Sequence, residues 1–372
     1  MFIFMHLWLR LGIVQVNLAS ALALHKRCQK LSKLSSNKIH FMELKPTNIQ
    51  TDENVSAESA TQRLTGEIAD MGVIFCPRNR QGGTRRRLRK ILHLLQERGA
   101  AFDYVWSESP GSVERLASMM TRAGYKKIVV VGGDAALNHA LCGIFSVNGG
   151  EGRLPALGVI PAGYGNDFAR FWELNAGDSR AAVDALLRGH ERKVDVGVCT
   201  LGGKGGQKYY FLNCVNLGVA ASITSLRRKT RTLCGLNTLS YLFSAVLLLF
   251  KRHAFRFTFN LPGERVDDRR AMTLCVGSSR GYGQTPSAVP YNGLLDVTMV
   301  SAPQPTQVLH GIWLLFTNRF LSHKSVSVWR TKSIAFEATG NAPMSIDGRV
   351  VHERVSQVDL SVMQEKISFI IP

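Results

Sequence analysis

Three short stretches of this 372-residue chain hold residue types that could do chemistry. Gly132-Gly133-Asp134 closes an apolar, β-branched run at 128–131, and Pro161-Ala162-Gly163-Tyr164-Gly165-Asn166-Asp167-Phe168 follows a second apolar run at 157–160. Near the C-terminus stands Asp347-Gly348-Arg349. Glycines allow close backbone approach, and a helix that starts at such a turn offers unpaired N–H groups to an anion. Asp134 and Asp167 lie beside those turns and can hold a divalent cation through water, fix the turns, or simply cap helices. The chemistry indicated is phosphate binding.

The flanking sequence supplies elements that would position these groups. Residues 135–145 carry apolar residues at helical spacing after the first turn. A strand at 72–75 precedes a helix at 84–98, in which Leu88, Ile91, Leu92 and Leu95 alternate with Arg and Lys. A strand at 102–106, a helix at 113–123 and a strand at 125–131 follow. Strand and helix alternate, so the spacing predicts an α/β, Rossmann-like parallel sheet with both turns at carboxyl ends of strands. Beyond Asp195, strand-like runs at 209–215, 255–261, 272–276 and 294–300 predict a mostly antiparallel β-sandwich. The expected organisation is an N-terminal extension or linker over 1–70, an α/β domain over 71–194 and a β-rich domain over 195–372. The C-terminal segment could return to the first domain. Two apolar stretches, 236–250 and 310–320, read as core helices or as lips that admit an acyl chain.

GGD followed by Asn138, and PAGYGNDFAR, together resemble the paired signature of the diacylglycerol kinase-like lipid kinases of the bacterial diacylglycerol and sphingosine kinase type. In that family the first turn usually reads GGDGT-x-N-E and the second P-x-GTGNDFAR. Similar short matches recur at 193–197, 210–213, 240–242, 292–297 and 346–348. The resemblance implies a two-domain enzyme that uses ATP and Mg2+, with 71–194 as the nucleotide-binding domain and 195–372 as the lipid-substrate domain. It places the nucleotide against Asn79, Ser107, Gly132, Gly133, Asp134, Ala135, Asn138, Gly163, Tyr164, Asn166 and Asp167. A structural magnesium would be held by Val289, Asn292 and Leu294. The acceptor would be the hydroxyl of diacylglycerol or of a sphingoid or ceramide-like alcohol, with Asp347 and Asp134 as catalytic carboxylates.

Five positions depart from the family pattern. Ala135-Ala136 replaces Gly-Thr, His139 stands where Glu is common, Tyr164 replaces a threonine, and Asn292 occupies an Asp position. The fifth is Arg349, which replaces the Glu usually given the proton-acceptor role; arginine cannot serve as a base. Asp347 is then the carboxylate left in that loop, with Glu353 six residues on. Ala220 also stands where an Asp is frequent. The alternatives to a lipid kinase are a degenerate protein that binds nucleotide or lipid without transfer, and an NAD kinase-like or 6-phosphofructokinase-like enzyme with a soluble acceptor.

Composition sets the surroundings. With 45% hydrophobic residues the chain buries an ordinary core, and a net charge of +19 suits an anionic membrane surface. No nucleic-acid motif accompanies the charge, so nucleic acid is not an expected partner. Seven scattered cysteines without metal spacing fit a cytoplasmic protein, peripherally associated with membrane. A homodimer stays open. Residues 1–24 are apolar and read as a signal anchor, an interfacial helix or, preferably, an upstream stretch before a later start at Met42 or Met71.

Overall fold

A computed structural model describes residues 69–76, 82–163, 165–203, 205–223, 254–261, 264–280, 285, 287–301, 320–339, 342–351 and 357–372. Asn79, Tyr164, Glu353, residues 1–24, residues 236–250 and most of 310–320 lie outside the described residues.

The first half alternates β1 (Met71–Phe75), α1 (Gly82–Glu97), β2 (Asp103–Trp106), α2 (Pro110–Arg122), β3 (Lys127–Gly132), α3 (Asp134–Phe145), β4 (Ala156–Pro161), α4 (Asp167–Phe171) and α5 (Ser179–Arg188). β1 pairs in parallel with β2 and β3, and β3 with β4. Helices cover both faces of this sheet, which is why β1, β3 and β4 read as almost unbroken apolar runs. α1 buries Leu88, Ile91 and Leu95 and turns Arg86, Arg87, Arg89 and Lys90 outward. α2 starts three residues earlier than its apolar spacing suggests. Ser109 and Ser112 cap it reciprocally, with a serine doing the work usually given to Glu or Gln, and a proline opens the first turn.

The second half contains β5 (Glu191–Leu201), β6 (Gln207–Phe211), β7 (Cys214–Gly218), β8 (Phe255–Leu261), β9 (Glu264–Gly277), β10 (Leu295–Ser301), β11 (Val326–Thr331), β12 (Ser333–Thr339), β13 (Met344–Ile346), β14 (Arg349–Val351) and β15 (Gln357–Ile370). Pairing within this half is antiparallel. The run expected as one strand over 209–215 is two. β6 pairs with β5, whereas β7 pairs with β9 and β13, and the chain changes partners at Leu212 and Asn213.

β15 lies antiparallel between β12 and β5, and its end reaches β4 in parallel through Phe369 and Leu157. The two halves thereby share one mixed sheet. One core gathers Phe75, Phe145 and Phe168 with Ile367, Phe369 and Ile370 from the chain end; the other gathers Phe211, Phe257, Phe259 and Phe336. Among the described residues no helix is long and apolar enough to cross a membrane.

Candidate active site

The turns after β3 and β4 touch. Gly132 O accepts from Ala162 N at 2.7 Å and from Gly163 N at 3.1 Å. A Cβ on Gly133 would lie 2.9 Å from Gly163 Cα, and one on Gly163 would lie 2.5 Å from Gly133 Cα. Each glycine is therefore required by the other. Asn166 sits in the left-handed region at φ 51° and closes the second turn, its Oδ1 accepting from Gly163 N at 2.9 Å.

Asp134 and Asp167 open α3 and α4. Asp134 Oδ1 accepts from Phe168 N and from Asn213 Nδ2, each at 3.3 Å. A Cβ on Gly165 would stand 2.8 Å from Asp134 Oδ2 and 3.5 Å from Asp167 Oδ2, so the two carboxylates converge on one glycine. Asp167 is ion-paired with Arg170. Burial first, and then the charge of Asp167, push the Asp134 carboxyl up to about 6 against the pull of the donors around it.

These residues fit a metal–phosphate group. Paired carboxylates repel a bare phosphate, and a divalent cation relieves both that repulsion and the one between the acids. Gly133 O takes the amides of Ala136 and Leu137 at 2.9 and 3.0 Å, so an anion at this helix start would meet the amides of Asp134 and Ala135.

Several expected contacts fall elsewhere. Asn138 is 1% exposed, and its Nδ2 donates to Tyr210 O at 2.7 Å and to Asp347 Oδ2 at 3.3 Å. It ties α3 to the second half and has no amide hydrogen left for a nucleotide. Ala135 lies inside α3 and outside the left-handed region, so its methyl group meets no backbone strain. Ser107 is buried at the end of β2, where its N–H donates to Phe75 O at 2.8 Å.

Asp347 does not have the freedom expected of a base. With Gly348 it forms the tight turn between β13 and β14, at φ 45° and 81°, the conformation that favours Asp-Gly. Its Oδ2 accepts from Leu212 N at 2.8 Å, and its Oδ1 from Asn213 N at 3.0 Å and Cys214 N at 2.8 Å. With Asn138, four donors occupy both oxygens of a side chain that is 1% exposed. Burial pushes the carboxyl up to about 7, with those backbone N–H groups opposing. Asp347 anchors the chain's switch from β6 to β7.

Arg349 is also committed. Its guanidinium reaches Glu114 Oε2 on α2 at 3.0 Å and lies over the Tyr209 ring at 5.1 Å. His139 Nδ1 contacts the same Glu114 oxygen at 3.2 Å. The hydrogen bond from His139, and then the Arg349 charge, hold Glu114 below the usual carboxylate range. Gly143, one turn along α3, permits this meeting, since a Cβ there would lie 2.2 Å from Glu114 O. Two of the family departures, at 139 and 349, are thus joined through Glu114. Nothing in the local sequence around Glu114 marks it. Asn213 was more visible, as a polar residue inside an apolar run.

The loop expected to hold a structural magnesium is closed by protein groups instead. Asn292 Oδ1 accepts from Leu294 N at 2.9 Å, and Val289 O accepts from Tyr291 N at 2.9 Å. Buried Asp195 pins the same loop, taking Gly293 N at 2.7 Å and Glu365 N at 2.9 Å. The oxygens of Val289 and Asn292 thus each accept one hydrogen bond within the loop. Among the described residues no three His, Cys, Asp or Glu side chains are grouped to hold one.

Residues 70–199 match the diacylglycerol kinase catalytic domain, and residues 213–364 match the YegS C-terminal NAD kinase beta sandwich-like domain. A diacylglycerol kinase of Mycobacterium tuberculosis is 25% identical over 287 residues, covering 76% of this chain and 89% of that protein. One from Staphylococcus saprophyticus is 23% identical over 284 residues, covering 74% and 87%. Crystal structures from Bacillus anthracis str. Sterne share the fold. One superposes with a TM-score of 0.64 at 19% identity, covering 81% of this chain and 97% of that one. A second, of a diacylglycerol kinase, superposes with a TM-score of 0.57 at 17% identity, covering 81% and 96%. With its paired glycine turns at the carboxyl ends of parallel strands and both domain models in order, the chain belongs to the diacylglycerol kinase-like family of kinases.

Proposed function

We propose that this kinase transfers the γ-phosphate of ATP to the hydroxyl of a membrane lipid alcohol, either diacylglycerol or a sphingoid or ceramide-like acceptor. The observation that carries this reading is the pair Asp134 and Asp167 converging on Gly165 where the two glycine turns touch. Mg2+ bound with ATP would be held by Asp167 and would neutralise charge on the phosphates. Asp134 is the acid-base group: with its pKa raised to about 6 the carboxyl is mostly ionised near neutral pH yet more basic than an ordinary carboxylate, and it can take a hydroxyl proton. Asn213 orients it from the second half, and Ser279 in turn holds Asn213 through a hydrogen bond of 2.8 Å to Oδ1.

The net charge of +19 and the outward Arg86, Arg87, Arg89 and Lys90 support peripheral docking on an anionic, cytoplasm-facing membrane surface. Titration calorimetry with ATP, with and without Mg2+, tests the site. Tight binding that needs Mg2+ and disappears in Asp167→Asn is expected; metal-independent binding would contradict it.

A further inference from the structure

The parallel strands have a second occupied-looking end. At the amino ends of β3 and β4, about 17 Å along the strands from the glycine turns at ~3.3 Å per residue, an open recess of ≈ 350 Å³ is lined by Lys126, Lys127, Arg153, Lys193 and Lys366. Register explains why they gather. Lys127 pairs with Ala156, Phe369 with Leu157, and Ser368 with Lys193. Side chains alternate along strands, so Lys127, Ala156, Ser368 and Lys193 share one face. α5 covers that face higher up, where a Cβ on Gly158 would meet Leu186 at 2.8 Å, and the recess opens below the helix end at Gly189.

Lys126 is neutralised by Asp70 at 2.9 Å. Lys127, Arg153, Lys193 and Lys366 make no ion pair with any described residue, and Glu191 is the sole carboxylate in the lining. Four unpaired cations around one recess repel each other unless an anion joins them. The excess exceeds what one carboxylate could balance, and Ser368 adds a hydroxyl donor. We propose that this recess is a second anion site, separate from the nucleotide turns, that binds a multiply charged phosphate group, carried either by a soluble phosphorylated compound or by a phospholipid headgroup.

Inorganic pyrophosphate, followed by calorimetry, probes the soluble source. Flotation with phosphatidylcholine vesicles, with and without phosphatidic acid, probes the lipid source. The double variant Lys193→Glu/Lys366→Glu reverses charge at an exposed and a half-buried strand position, and Arg153→Gln is a milder loop variant that keeps the test valid if the first fails to fold. Retained ATP binding at the far end of the same strands reports folding. The expected result is at least about a tenfold loss of affinity for one probe in both variants, steeper at low salt because such contacts are screened. Loss for pyrophosphate assigns a soluble ligand, and loss confined to phosphatidic acid vesicles assigns a headgroup. Binding of both probes at wild-type strength in folded variants would belong to other parts of the protein and would overturn the proposal.

Discussion

Asp347 and Cys214 bond in both directions: Cys214 N donates to Asp347 Oδ1 at 2.8 Å, and Asp347 N donates to Cys214 O at 2.9 Å. A hairpin turn is thereby locked to the point where the chain passes from one strand to the next. Asp347→Asn would turn an amide NH2 toward N–H groups that now meet carboxylate oxygen. Each buried donor left unsatisfied costs about 1–3 kcal/mol. Denaturant unfolding should show a clear loss of stability, with any fall in activity following from it. An Asp347→Asn protein as stable as wild type but without activity would restore Asp347 as a catalytic group.

Restoring the family's usual acid at 349 should not help. Arg349→Glu would set a second carboxylate 3.0 Å from where the guanidinium now meets Glu114. The pair is part-buried, so breaking it and adding repulsion should cost about 1–3 kcal/mol. Steady-state transfer assays on Arg349→Glu should show no gain in rate. The double variant Glu114→Arg/Arg349→Glu should regain part of the lost stability, and its failure to do so would argue against the pair.

The touching turns give a steric prediction. Gly163→Ala would push a methyl carbon to 2.5 Å from Gly133 Cα, a backbone atom that can yield only by opening the turns. Calorimetry should register a loss of ATP affinity of about tenfold or more. Gly177→Ala, where nothing lies within 4 Å of the new carbon, should bind ATP like wild type.

Asp134 has a raised folded-state pKa, about 6, against 3.8 ordinarily. The folded protein then holds a proton that the unfolded chain has released. Stability must fall as pH rises through that window, by an amount on the order of a few kcal/mol. Glu114, with its lowered pKa, acts in the opposite sense and loses its contribution only under more acid conditions. Urea unfolding of the ligand-free protein should give a higher midpoint at about pH 5 than at about pH 7.5. Equal midpoints would argue against the raised Asp134 pKa.

The glycine turns and their acids were legible in the sequence because their meaning is local: an apolar strand stops, glycines bend the chain, and an acid opens the next helix. The role of Asp347 was hidden, since its donors at 212–214 become a cluster only when the 209–215 run bends between two strands. The pairing of Arg349 with Glu114 joins residues 235 apart, across a hairpin and a helix, and no periodicity links them. Asn292 looked like a weakened metal ligand because an amide oxygen can coordinate, but here that oxygen completes a turn with Leu294 N. The long strand β15 escaped notice because its alternation is interrupted at Glu365, which adopts φ 47° where the register shifts.

Asp134 is proposed to serve phosphoryl transfer to a lipid hydroxyl. The direct measurement is radiolabelled phosphate transfer from ATP to diacylglycerol and ceramide in mixed micelles, by wild type and Asp134→Asn. Labelled lipid is expected from wild type and a fall of at least about 100-fold in the variant, the range typical of losing a general acid–base group, with the variant still folded by thermal denaturation. Transfer by Asp134→Asn at the wild-type rate would contradict it.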